Sequence, residues 1–236
     1  MKKYSVCGVL FPLILSFVTS CLGDGGQTIS LGNYPGVVVK RNDSVKIHLR
    51  GNDVVYSPQT SGVDDGDCVI IDFTLDYGKP ENSDSGMAKG FLTVDISSLI
   101  PVQSWPAQSV LTDTSVVLPG EHTVSSIQQR SAFILNRFFL YTEHRSDDMS
   151  PLRFELSYDP NQAVSDRTYE LFLRVSKSTE APPAAQMQVQ CNAFDLVDLS
   201  RRETDSLIFR INYVQGFNKD STQMTWGSSP VYRFPL

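Results

Sequence analysis

Apolar and polar residues alternate along most of the chain, and helical spacing is almost absent. Val45, Ile47 and Leu49 alternate with Lys46, His48 and Arg50, which predicts a half-buried strand with a charged outer face. Gly51-Asn52-Asp53 then turns the chain into Val54-Val55-Tyr56, so the two segments read as a hairpin. Val69, Ile71, Phe73 and Leu75 alternate with Ile70, Asp72, Thr74 and Asp76, after a loop from Gly62 to Asp67. Phe91 to Ile96 gives a further strand behind the polar loop Gly78 to Gly90. With Val37-Val38-Val39 at the start, the pattern has the strand count and size of a small five-stranded barrel of the oligonucleotide/oligosaccharide-binding (OB) type.

Pro101 and Pro106 bracket Val102-Gln103-Ser104-Trp105, and proline removes a ladder donor, so the regular pairing is expected to break there. Ser115 to Leu118 ends at the turn Pro119-Gly120, and Phe133 to Tyr141 is strongly apolar and aromatic. Alternation returns at Leu152, Phe154, Leu156, at Tyr169, Leu171, Leu173, Val175, and at Leu207, Phe209, Ile211, Tyr213. Such runs, joined by Asp-Pro-Asn and Pro-Pro loops, predict an immunoglobulin-like β-sandwich. Val94 to Leu99 and Phe194 to Leu199 share a pattern that reads as two strand-to-turn exits. The expected fold is all-β, with a small OB-type barrel over 34–101 and a C-terminal β-sandwich over 107–236.

The N-terminus departs from this alternation. Lys2 and Lys3 precede the uncharged apolar run Val6 to Val18, and Thr19-Ser20 are small side chains before Cys21. The run is too short for a membrane-spanning helix, which needs about 20 apolar residues, and it contains Pro12. It resembles a bacterial lipobox, in which small residues let the backbone enter the peptidase and only a thiol can take the diacylglyceryl group. Residues 1–20 are therefore expected to be a lipoprotein signal peptide cut between Ser20 and Cys21, with Cys21 lipidated and 21–33 a tether rich in glycine. Two or three acyl chains would anchor such a protein stably in the outer membrane, facing the periplasm or the cell surface, because each buried methylene contributes about 0.8 kcal/mol.

Charge narrows the partners. The formal net charge is -6, and removing Lys2 and Lys3 takes it to about -8, which argues against nucleic acid. Of four cysteines, Cys7 leaves with the signal peptide and Cys21 takes lipid. Cys68 and Cys191 fall in different halves of the chain and are expected to be separate thiols, at least partly buried.

At this point the chain resembles the NigD-like lipoprotein family. The matching stretches are Cys21 to Asp24, Val45 to Asn52, Asp65 to Phe73 and Ser206 to Tyr213. The resemblance implies an N-terminal OB domain, a C-terminal β-sandwich and a lipidated cysteine. By name it also ties the chain to a bacteriocin locus, and it supplies no catalytic or binding residue to carry over. An acidic cluster after the cysteine, common in the family, is reduced here to Asp24.

Chemistry is sparse. His48, His122 and His144 lack zinc-type spacing to one another or to cysteine, and no Gly-x-Ser-x-Gly elbow is present. Glu143-His144-Arg145-Ser146-Asp147-Asp148 reads as a solvated loop after a strand ending at Tyr141, and Asp64, Asp65 and Asp67 read as turn formers ahead of loose calcium coordination. No catalytic residue, metal or cofactor is expected. Trp105, Trp226, Tyr232 and Phe234 are candidate contacts for a protein or glycan ligand, weighed against packing of a domain seam or sandwich edge. Lys40, Lys46 and Arg50 would suggest single-stranded nucleic acid in a cytoplasmic OB protein, a substrate that export removes. The expectation is a non-catalytic envelope lipoprotein that acts as a recognition or structural accessory module. A bacteriocin-immunity factor and an envelope hydrolase are the alternatives.

Overall fold

The computed structural model describes residues 28–42, 44–83, 89–146, 152–161, 167–177 and 186–236. Ser20, Cys21, the stretch read as signal peptide, the first part of the stretch read as tether and Asp147-Asp148 lie outside the described residues.

The first half closes a barrel of β1 (Thr28–Arg41), β2 (Ser44–Leu49), β3 (Val54–Tyr56), β4 (Cys68–Asp76) and β5 (Leu92–Val102), in the order β1-β2-β3-β5-β4. Closure depends on β1, which is long enough to serve two neighbours: Thr28 to Val37 pair with β4, while Gly36 to Arg41 pair with β2. Gly36 sits at the crossover against Ile47 and Leu49, where a side chain would collide with both. Val38, Ile47, Leu49, Val55, Val69, Ile71, Phe73, Leu75 and Val94 fill the interior, so the inward members of the alternating runs are the barrel core. The turn Arg50–Asn52 into β3 uses positive φ at Gly51 and Asn52. Asp64, Asp65 and Asp67 do form a turn. Asp67 accepts from the Asp64 amide, Asp65 from the Lys40 amide, and the Gly66 amide donates to Val38.

The second half is one continuous curled sheet, built of β6 (Ser104–Gln108), β7 (Glu121–His122), β8 (Ser126–Ile127), β9 (Ala132–Ile134), β10 (Arg137–Ser146), β11 (Leu152–Tyr158), β12 (Tyr169–Lys177), β13 (Gln186–Asp195), β14 (Ser206–Phe217), β15 (Met224–Ser228) and β16 (Tyr232–Pro235). A short helix α1 (Val197–Ser200) follows β13. Strand β6 pairs in parallel with both β13 and β11, and so joins the layer of β8, β9, β10 and β13 to the layer of β11, β12, β14, β15 and β16. Between the layers lie Phe138, Leu140 and Phe194 from one side and Phe154, Leu156, Leu171, Leu173, Phe209 and Ile211 from the other. Phe138 meets Phe209 edge-on at 4.9 Å.

Several segments differ from the sequence reading. Strand β1 begins at Thr28, inside the stretch read as tether. Pro101 and Pro106 do not interrupt pairing: Pro101 stands opposite Val69 in β5, and Pro106 opposite Asp195 in β6. Val94 to Leu99 is the middle of β5 and not an exit. Ser115 to Leu118 is not a strand. Its Val116 carbonyl and Leu118 amide instead serve a buried ion pair. Strand β10 continues to Ser146, so Glu143 to Ser146 are ladder and not loop.

That ion pair joins Arg174 of β12 to Glu121 of β7, with side chains 3% and 2% exposed. Arg174 also donates to the carbonyls of Asp113 and Val116, each at 2.7 Å, and Glu121 accepts from the Leu118 amide. One guanidinium thus holds the whole segment before β7 onto the sandwich. Removing one partner of such a pair leaves an uncompensated buried charge. Glu121→Gln should lose about 3 kcal/mol or more of unfolding free energy in urea denaturation. A loss under about 1 kcal/mol would contradict this role.

Candidate functional site

Two concavities stand out, one at the junction of barrel and sandwich and one on the barrel alone. The first, about 450 Å³, lies between the β2–β3 turn (His48, Leu49, Gly51, Asn52), the β9–β10 turn (Phe133 to Asn136), helix α1 with Arg201 and Glu203, and the C-terminal Pro235-Leu236. The second, about 480 Å³, lies on the outer face of the barrel and is lined by Val39, Arg41, Asn42, Ser44, Lys46, His48, Val54 and Gly90. They meet at His48.

The barrel face follows directly from register. Val39 stands opposite Lys46, Arg41 opposite Ser44, and Lys46 opposite Tyr56, so alternate residues of β1, β2 and β3 share one outward surface. Lys46 places its ammonium 4.3 Å from the centre of the Phe91 ring, which packs edge-on against Tyr56 at 5.6 Å. His48 is held below its usual pKa, first by burial and then by the positive charge of Arg41 and Lys46. Of the basic residues singled out in the sequence, only Lys46 belongs to this surface. Lys40 points away and pairs with Asp64 at 3.2 Å, and Arg50 is exposed in the turn. Arg41 escaped the sequence reading and Phe91 was read only as the start of a strand, although cross-strand pairing through the short β1–β2 turn could have found Arg41.

The candidate aromatics are engaged in packing. Trp105 donates to Asn192 at 3.1 Å and packs on Phe154, and Trp226 donates to the Thr114 carbonyl at 3.3 Å and meets Phe172 edge-on. Tyr232 is buried among Phe138, Phe209 and Phe234. These are the packing roles that stood beside ligand contact. They belong to the sandwich core and its edge.

Cys68 and Cys191 are unbonded, yet they are not far apart in space. Cys68 of β4 joins Val37, Val102, Ala132, Ile134, Phe139 and Ala193 in a cluster between barrel and sandwich, and Cys191 packs against it. Burial raises both thiol pKa values, that of Cys191 to about 12.

Among the described residues, no three His, Cys, Asp or Glu side chains gather as a metal site. His144 points into the sandwich with no exposed surface and no hydrogen-bond partner on either ring nitrogen. It meets His122 and Phe154 edge-on. Burial, then the charges of His122 and Lys177, lower its pKa to about 4. A neutral imidazole so placed is a packing group. Because its folded pKa lies below the unfolded 6.5, its stabilising contribution is complete above that pH and is lost as pH falls toward 4. Between pH 7.5 and 5.0 the chain should lose about 2 kcal/mol of unfolding free energy through this group, and His144→Leu should remove most of that loss. Equal losses in both proteins would contradict it.

Residues 26–100 match the family model described as Lipoprotein OB domain. None of the curated proteins matches the chain. Among solved structures, an uncharacterized protein from Parabacteroides merdae superposes with a TM-score of 0.73 at 23% identity, covering 88% of this chain and 98% of that one. A NigD-like immunity protein from Bacteroides caccae superposes with a TM-score of 0.54 at 11% identity, covering 89% and 97%. A protein of unknown function from Bacteroides vulgatus gives 0.58 at 10% identity, covering 89% and 92%. The class is thus an all-β fold whose first domain matches the OB domain of lipoproteins. Its fold is similar to that of a NigD-like immunity protein, in line with the fold that the sequence resemblance implied.

Proposed function

We propose that this chain is a non-catalytic outer-membrane lipoprotein, cleaved between Ser20 and Cys21 and acylated on Cys21, whose barrel and sandwich act together as a recognition module. The observation that carries recognition is the barrel face. In a chain of net charge -6, it gathers Arg41 and Lys46 into a concavity where neither has an ion-pair partner among the described residues. Unpaired cations held side by side repel one another, and a bound anion relieves that repulsion. A bacteriocin-immunity role draws on the name of one structural neighbour, whose 11% identity speaks to fold alone.

Two measurements test this reading. A fatty-acid analogue fed to cells should label the wild-type protein and leave Cys21→Ala unlabelled, and equal labelling would refute the anchor. The mature chain carrying Cys21→Ala, immobilised and exposed to envelope extracts and a glycan panel, should retain a defined component. Retention of nothing from either source would refute recognition.

A further inference from the structure

We infer that the ligand is an acidic oligosaccharide, bound along the outer face of β1–β3 with its chain continuing past His48 into the cleft beside helix α1. The inference rests on the recognition reading above and names its ligand class.

Charge comes first. Arg41, Lys46 and His48 line one concavity, while Lys40, next to Arg41 in sequence, is turned to the other side of β1 and neutralised by Asp64. The strand period has therefore sorted the cations, leaving the unpaired ones together and giving the paired one to the turn. His48, whose pKa is lowered first by burial and then by the charges of Arg41 and Lys46, lines the same concavity.

Shape comes second. The two concavities share His48 and run from the barrel onto the sandwich, so they suit a chain of several units better than a single small ion. The far end mixes polar, charged and apolar lining, the apolar part coming from residues such as Phe133, Leu135, Val197 and Leu236. Asn52 and Asn136 line it, Arg201 faces solvent, and Glu203 accepts from the Tyr169 hydroxyl. Acidic units belong on the barrel face, and neutral hydroxylated units in the cleft.

The rings decide between polyanions. Single-stranded nucleic acid needs free aromatic faces on which bases stack. Here Lys46 covers the Phe91 ring and Tyr56 packs against its edge, no Phe, Tyr or Trp lines the barrel concavity, and Phe133 of the cleft is stacked on Phe234. A saccharide needs cations for its carboxylates and polar side chains for its hydroxyls, and the surface supplies both.

The test is calorimetric titration of the mature chain carrying Cys21→Ala with tetragalacturonate, with uncharged maltotetraose, a short oligothymidine and a tetraglutamate peptide as competitors of the other classes. Tetragalacturonate should bind at least about tenfold more tightly than each of the others and should weaken as salt rises. Lys46→Gln and Arg41→Gln should each weaken it about fivefold or more, while Lys219→Gln, on the exposed turn before β15, should leave it unchanged. Circular dichroism would confirm that each variant is folded. Preference for the nucleotide, the peptide or the neutral sugar would overturn the ligand class, as would indifference to Lys46→Gln and Arg41→Gln. If one of the other ligands binds, recognition survives and only its chemistry is wrong. If none binds and envelope capture is also empty, recognition itself fails.

Discussion

A single extended residue, Gln103, separates the strand that closes the barrel from the strand that bridges the sandwich, and this continuity governs everything built around it. Val102 still pairs with Cys68 at the end of β5, while Ser104 already pairs with Ala193 in β6. The Gln103 carbonyl accepts from the Ala193 amide at 3.0 Å, so even the connecting residue is tied to the second domain. Around it, Val37, Cys68 and Val102 from the barrel pack on Ala132, Ile134, Phe139 and Ala193 from the sandwich. Each large apolar side chain buried there contributes roughly 1.5–3 kcal/mol, and so short a connection leaves little room for a hinge. The cleft between the β2–β3 turn and helix α1 therefore has fixed walls.

Fixed walls matter because the groove is assembled from residues distant in sequence. Asn52 comes from the barrel, Asn136 from the β9–β10 turn and Arg201 from beyond helix α1. The acidic net charge of the chain keeps most polyanions away from its surface, and one face is locally reversed. Selectivity would then come from where the cations sit and not from how many there are.

Much of the fold was legible because strand alternation records burial directly. Ile47, Leu49, Ile71, Phe73, Leu75, Phe154, Leu156, Leu171, Leu173, Phe209 and Ile211 are read as inward from sequence and are buried in the structure. Reading failed where chemistry disguised the period. His144 continues the inward row of Phe138, Leu140 and Thr142, but a histidine between charged neighbours looks solvated. Pro101 and Pro106 look like breaks, although strands that need no donor at those positions tolerate them. The groove was less legible. Lys46 stood out in the alternation, whereas Arg41 and Arg201 join it only through pairing register and packing between domains. Trp105, Trp226 and Tyr232 drew attention by type and proved to be engaged in the sandwich.

The central claim is that barrel and sandwich present one continuous cationic-to-polar groove to one extended acidic glycan. Backbone amide shifts measured by NMR during titration with tetragalacturonate test it most directly. The account predicts perturbations at Arg41, Lys46 and His48 that extend, at the same saturation, to Asn52, Asn136 and Arg201 across the junction. Perturbations confined to one domain, or centred on the sandwich edge near Trp226, would contradict it.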